Sequence, residues 1–125
     1  TPKPSSAASD VYKRQIKWCQ LILSNKAMAL IGVIELLKQA KNRRLQLLTL
    51  SAVNGFFEDI MHAKVEMDNY YTFSDLTEEI ENYANQLTFN QIILMYDQIT
   101  EAHKKLNQNV NPTLVFEQIV IKGVI

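Results

Sequence analysis

The chain has 125 residues, with thirteen basic and thirteen acidic side chains and 47% hydrophobic residues. This balance is typical of one globular domain and excludes a strongly basic nucleic-acid-binding protein. No apolar run reaches the roughly 18 residues of a membrane-spanning helix, and the first residues lack a secretory signal pattern. The single cysteine, Cys19, is compatible with a reducing compartment. We therefore expect a cytoplasmic protein with no membrane association.

Glycine and proline are scarce, and their positions predict the fold class. Each occurs three times, and Pro2, Pro4 and Pro112 all lie near the ends. An interior of about a hundred residues with so few helix breakers favours an all-α domain. We predict a single bundle of five to six helices.

Residues 1–15 differ in composition from everything that follows. They are small or polar and have no hydrophobic period, which predicts a disordered tail. Residues 5–15, SSAASDVYKRQ, also resemble a translated sequencing-adapter artefact. We interpret residues 1–15 as foreign to the protein, with a natural flexible tail as the alternative. We expect the natural chain to extend upstream and place the helical domain at 16–125. Without Lys3, Asp10, Lys13 and Arg14, ten basic and twelve acidic residues remain, a net charge of −2. We expect no tight DNA binding from such a domain.

The first helices are read from periodicity and caps. Residues 16–23 form a short apolar helix, and Ser24 or Asn25 caps a second helix that runs to about Lys41. The apolar positions predicted for this second helix are Ala27, Leu30, Ile31, Val33, Ile34 and Leu37.

A long central helix is predicted over residues 42–64, and the rest of the bundle is organised around it. Its apolar residues form two adjacent rows: Leu45, Leu48, Ala52, Phe56, Ile60 and Ala63 in one, and Leu50, Val53, Phe57 and Met61 in the other. Such a wide apolar arc predicts neighbours on two or more sides. Gly55 within it predicts a close crossing with another helix.

After a polar connection, two more helices are predicted. Tyr70, Tyr71 and Phe73 are expected to fold back onto the bundle, and a base-stacking platform is the alternative. Ser74 is predicted to cap an outer helix with Leu76, Ile80, Tyr83, Ala84 and Leu87 on its apolar face. Thr88 and Gln91 form a capping box that opens a helix to about Leu106. Its predicted apolar face is Phe89, Ile92, Ile93, Tyr96, Ile99, His103 and Leu106.

The last helix carries the candidate interface. Asn111 caps it and Pro112 takes its first position, a strong start signal. Apolar residues surround most of the helix, more than one side of a small bundle can cover. The candidate subunit interface is therefore Leu114, Val115, Phe116, Ile119, Val120 and Ile121.

No arrangement of residues in the sequence indicates a catalytic, cofactor-binding or metal-binding site. There is no glycine-rich phosphate loop, and His62 and His103 lie on different helices without partners at zinc-ligand spacing. No nucleophile, base and orienting group come together in the pattern. We predict no catalytic residues, no cofactor and no metal.

Three stretches resemble a known family: FFEDIMHAK (56–64), YTFSDLTEEIENYANQLT (71–88) and residues 99–123. Their order, and the Leu-x-x-Asn-Val-Asn-x-x-Leu-x-x-Glu element of residues 106–117, resembles the C-terminal domain of the delta-prime subunit of the bacterial DNA polymerase III clamp loader. Residues 16–30 look like the start of that domain. The matching positions Asn109, Asn111, Pro112 and Glu117 are interpreted as turn, cap, first helical residue and helix-surface contact.

The resemblance implies a collar domain, through which five subunits join into a ring while ATP-binding modules hang below. The implied partners are the delta and tau/gamma subunits in a hetero-pentamer, with no enzymatic activity in this domain itself. The related tau/gamma collar is the nearest alternative, but it often has Arg where this chain has Glu58 and tends to lack the Asn-Val-Asn turn. A stand-alone helical protein-binding module and a DNA-binding domain are the other hypotheses.

Overall fold

The computed structural model describes residues 4–65 and 71–123, with side chains described from Tyr12 onward. Over these two ranges it contains six α-helices and no strand. The helices are α1 (Pro4–Ser24), α2 (Lys26–Gln39), α3 (Arg43–Lys64), α4 (Thr77–Gln86), α5 (Phe89–Asn107) and α6 (Pro112–Lys122), with a 3-10 turn at Ser74–Leu76 before α4. The predicted all-α bundle of five to six helices is confirmed.

The first helix begins earlier than the sequence predicted. Residues 1–15 were expected to be disordered, but α1 begins at Pro4. Its early part is rich in Ser, Ala, Lys, Arg and Gln, most of which are favourable inside a helix, and it contains no glycine. Tyr12 also contacts the bundle, since its ring lies edge-on to Phe73 with centroids 6.0 Å apart. The expected disorder of residues 1–15 and the domain start at residue 16 stay predictions, and residues 1–3 lie outside the described part.

The packing of the helices forms a closed cycle. Helix α1 packs on α2, α2 on α6, α6 on α5, α5 on α3, and α3 back on α1, while α4 is attached to α3. The largest side chains enclosed by this arrangement include Phe56, Phe57, Met95 and Phe116, all fully buried. Helix α3 therefore has neighbours on several sides, as its wide apolar arc predicted.

Three polar side chains of α3 lie in the core, and the helical wheel did not predict them. Each has a partner that satisfies it, as burial requires. Thr49 Oγ1 donates to the carbonyl of Leu45, and Gln46 Nε2 donates to the carbonyl of Ala40 at the end of α2. The third is Asp59, which is 1% exposed. Leu48, predicted to be apolar core, is instead 48% exposed.

The connection from α3 to α4 is held by Asp59. Its Oδ1 and Oδ2 accept the backbone N–H groups of Thr72 and Phe73, each at 2.9 Å. Ser74, the predicted cap of the outer helix, begins the 3-10 turn and caps nothing with its side chain, and α4 has no side-chain cap. A carboxylate from another helix thus fixes this connection, a contact that local sequence cannot reveal.

The other predicted caps are present. Asn25 accepts an N–H group at the start of α2, and Asn42, which the sequence placed within the central helix, caps α3 in the same way. The reciprocal Thr88 and Gln91 hydrogen bonds complete the capping box of α5. The face of α5 is rotated from the prediction, because Ile92, Met95, Ile99, Ala102 and Leu106 are buried while Phe89 and Ile93 are exposed. The predicted helix crossing at Gly55 is absent, and the Phe73 side chain lies against that glycine instead.

Candidate interaction surface

The six candidate interface residues of α6 divide into two groups. Val115, Phe116, Ile119 and Val120 are at most 2% exposed and form part of the domain's own core. Leu114 and Ile121 are 55% and 56% exposed. They are seven positions apart, so they lie on one face of the helix, opposite the buried residues. The four buried side chains are unavailable to another subunit, which reduces the candidate interface on α6 to Leu114 and Ile121.

The turn before α6 is built by the residues that the sequence singled out. Asn109 has φ of 62°, the left-handed conformation that asparagine tolerates better than most residues. The N–H groups of Asn109 and Val110 donate to the carbonyls of Leu106 and Lys105, which closes α5 in a Schellman motif.

The entry into α6 follows at once. Asn111 Oδ1 accepts the N–H of Thr113 at 2.9 Å, with Pro112 at the first helical position. Glu117 is half-buried on α6. These contacts fix the direction in which α6 leaves the turn, and with it the outward placement of Leu114 and Ile121.

Helix α2 exposes three large apolar side chains, two of which the sequence predicted to be in the core. Its core contacts are made by Ala29, Val33 and Leu36. Ile31 and Ile34, predicted to be core, are 61% and 60% exposed, and Met28 is 45% exposed. A helix that is apolar on nearly every side is normally covered on nearly every side. The outward face of α2 is therefore a second candidate interaction surface.

A groove of about 320 Å³ runs between α1 and α2 beside this face. Its apolar lining comes from Trp18, Leu21, Met28, Ile31 and Leu36, and its polar rim from Arg14, Lys17 and Glu35. Trp18 is fixed in place because its Nε1 donates to the carbonyl of Ala29 at 2.9 Å and its ring packs edge-on to Phe116. Gly32 lies against Trp18, since a Cβ on Gly32 would be 3.3 Å from the Trp18 ring. The missing side chain lets α1 and α2 approach closely at the bottom of the groove.

The described aromatic residues that follow α3, Tyr71 and Phe73, do not form a stacking platform. Tyr71 and Phe73 are 8% and 6% exposed, so both fold back onto the bundle as predicted. Tyr70 lies outside the described residues. Lys64, the last residue of α3, donates to the carbonyl of Ala84 and lies 5.3 Å from the Phe89 ring centroid. Its contacts stabilise the junction of α4 and α5.

The titratable groups of the described bundle offer no reactive centre. Burial raises the pKa of the Cys19 thiol far above its usual value, which keeps the thiol neutral and poorly nucleophilic. His62 and His103 are half-buried on α3 and α5, and no three metal-ligating side chains come together within residues 12–65 and 71–123. None of the helices in these ranges is long and apolar enough to cross a membrane.

The described residues form an all-α bundle with exposed apolar side chains on the outside of α2 and α6. A comparison with family models identifies the family to which this bundle belongs. Residues 10–123 match the model for the DNA polymerase III delta subunit, C-terminal domain, and the chain belongs to this family. It is thus the C-terminal domain of a subunit of the clamp loader. No curated protein and no solved structure matches the chain.

Proposed function

We propose that this chain is the collar domain of a delta-prime subunit, which joins the subunits of the clamp loader into a ring through its helices. The observation that carries the proposal is the outward apolar surface of α2 and α6, with Ile31, Ile34, Leu114 and Ile121 each more than half exposed. Contact with neighbouring subunits would remove this apolar surface from water. Such burial is favourable by about 25 cal/mol for each Å² of apolar surface.

The assignment to delta-prime rests on two features of the sequence. The Asn-Val-Asn turn of residues 109–111 closes α5 and caps α6. Glu58 stands before Asp59, where the tau/gamma collar often has arginine. Both features favour delta-prime over tau/gamma. The domain then acts by assembly and not by catalysis, in the bacterial cytoplasm where replication takes place.

Reconstitution with purified subunits tests the proposal. The chain alone should elute from a size-exclusion column mainly as a monomer, because collar contacts are heterologous and a ring closes when all its members are present. Mixed with the delta and tau/gamma subunits of the same organism, it should move into a larger peak. If it keeps its monomer position in that mixture, the collar assignment is wrong or the upstream modules are needed, and the full-length protein separates these outcomes.

Native mass spectrometry of the complex distinguishes the subunits. A delta-prime domain should enter complexes that already contain delta and tau/gamma. A chain that competes with delta for its place is a delta domain, and one that competes with tau/gamma is a tau/gamma collar. Either competition would contradict the delta-prime assignment while leaving the family membership intact.

A further inference from the structure

We propose that the groove between α1 and α2 seats an acidic amphipathic helix of the neighbouring clamp-loader subunit. This inference rests on the proposed assembly function and adds the location and the chemistry of one contact. The groove is about 320 Å³ and open along the outside of the bundle.

The apolar side chains of α2 suit the binding of a helix. Ala27, Ile31 and Ile34 recur at intervals of four and three residues, the spacing by which one helix packs along another. Ile31 belongs both to this outward row and to the groove lining, and Met28 lines the groove one turn before it. A helix in the groove would therefore contact the apolar floor and this exposed row together, as in other helix-in-groove complexes.

The charges on the rim select the partner. On the α2 side, Glu35 already pairs with Lys38 at 3.0 Å. On the α1 side, Lys17 is exposed and makes no ion pair with any described residue. Arg14 lines the same side but lies within residues 1–15, the segment interpreted as foreign to the protein. Lys17 on α1 is therefore the groove cation that a partner can pair with. A complementary helix carries Asp or Glu on the side that faces α1.

The floor of the groove is rigid, which favours a preformed site. Trp18 is 2% exposed and is held by its hydrogen bond to Ala29 and its contact with Phe116. Trp18 connects α1, α2 and α6, so the floor of the groove is already ordered before a partner binds. Binding therefore loses less side-chain entropy than it would at a flexible site.

Binding measurements with matched variants test the groove. The full chain is titrated against purified delta and tau/gamma subunits by fluorescence anisotropy. Lys17→Glu and Ile31→Gln should each weaken binding to one of these subunits about tenfold or more, and Lys17→Glu should also flatten the salt dependence of Kd. The controls on α5, Lys104→Glu and Ile93→Gln, alter exposed residues that do not line the groove and should leave Kd unchanged. Circular dichroism and thermal melts establish that all four variants fold.

Each outcome bears on the proposal. Restored binding when Lys17→Glu meets a partner whose groove-facing carboxylate is changed to lysine would support it directly. If the unmodified chain binds and both groove variants bind equally well, the groove proposal is overturned while the collar function stands. If the unmodified chain binds neither subunit even within the full-length protein, both fail. A dimer of the chain alone that Ile31→Gln dissociates would also overturn the proposal, because the groove would then serve self-association.

Discussion

Asp59 and Phe73 are fourteen residues apart, yet Asp59 Oδ2 accepts the backbone N–H of Phe73 at 2.9 Å inside the core. The other oxygen of the carboxylate accepts the N–H of Thr72. One side chain of the central helix thereby fixes the backbone that leads into α4. It also places the Phe73 ring against Phe56, at 6.4 Å between centroids, and against Gly55.

Replacing Asp59 should therefore destabilise the domain well beyond a typical surface change. Asp59→Asn keeps one acceptor oxygen but turns an NH₂ group towards the second backbone N–H. We expect a loss of about 1.5–3 kcal/mol in the free energy of unfolding, the usual range for a hydrogen bond to a charged group. Urea denaturation measures the loss. Glu58→Gln, at the exposed neighbouring position, is the control and should change stability by less than about 0.5 kcal/mol. Equal losses would mean that Asp59 is not buried against these amides.

The centre of the core should be sensitive to truncation of Phe56. This side chain is fully buried and its ring contacts those of Phe57, Phe73 and Tyr83. Phe56→Ala should cost about 3–5 kcal/mol, because it removes apolar contacts and leaves a cavity. Glu58→Ala loses one exposed hydrogen bond with Asn54 and should cost less than about 0.5 kcal/mol. Chemical denaturation compares the two variants, and a similar cost for both would show that the faces of α3 are misassigned.

Deleting residues 1–15 tests whether this segment belongs to the domain. The Tyr12 ring packs edge-on to Phe73, and such a pair contributes about 0.5–1.5 kcal/mol. The deletion should lower the free energy of unfolding by at least this amount, and Tyr12→Ala in the intact chain should account for much of the loss. An unchanged thermal midpoint in both proteins would show that the segment contributes nothing to the fold, as expected of residues foreign to the protein.

Alkaline pH should weaken the domain through Tyr96. Burial first, and then the negative charges of Glu58 and Asp59, raise the pKa of Tyr96 to about 12 in the folded protein, against about 10 in an unfolded chain. The folded state thus holds the phenolic proton more tightly. The stability from this group is complete below about pH 10 and is lost as the pH rises through about 12. Denaturation at pH 9 and pH 11.5 measures the loss, which should be smaller in Tyr96→Phe. An identical loss in both proteins would contradict the raised pKa of Tyr96.

Interactions between residues close together along the chain allowed much of this fold to be predicted from the sequence. Asn25, Asn111 with Pro112, and the Thr88 and Gln91 pair each start a helix where predicted, because a cap bonds to N–H groups within three residues of itself. The all-α fold class followed from the scarcity of glycine and proline, and the number of helices from apolar periodicity and caps. The resemblance around residues 106–117 pointed to the clamp loader, and the family match agrees at the level of a DNA polymerase III subunit domain.

Which apolar residues are covered was decided by the tertiary structure. A helical wheel gives the angles between side chains on one helix but not the positions of the neighbouring helices. The apolar positions of α2 cover most of its circumference, so the wheel could not tell Val33, in the core, from Ile31 and Ile34, which face outward. Likewise, the position of α6 between α2 and α5 buries Phe116 and leaves Leu114 and Ile121 exposed.

The burial of Asp59 also depends on tertiary structure. Its two partners lie beyond the end of its own helix, and no local pattern joins a mid-helix carboxylate to amides more than a dozen residues away. The sequence by itself determined the central and later helices and the caps at Asn25, Thr88 and Asn111, because these depend on neighbours along the chain. The packing of α1, α2 and α6 around Trp18 determined the groove and the exposed faces, because burial depends on neighbours in space.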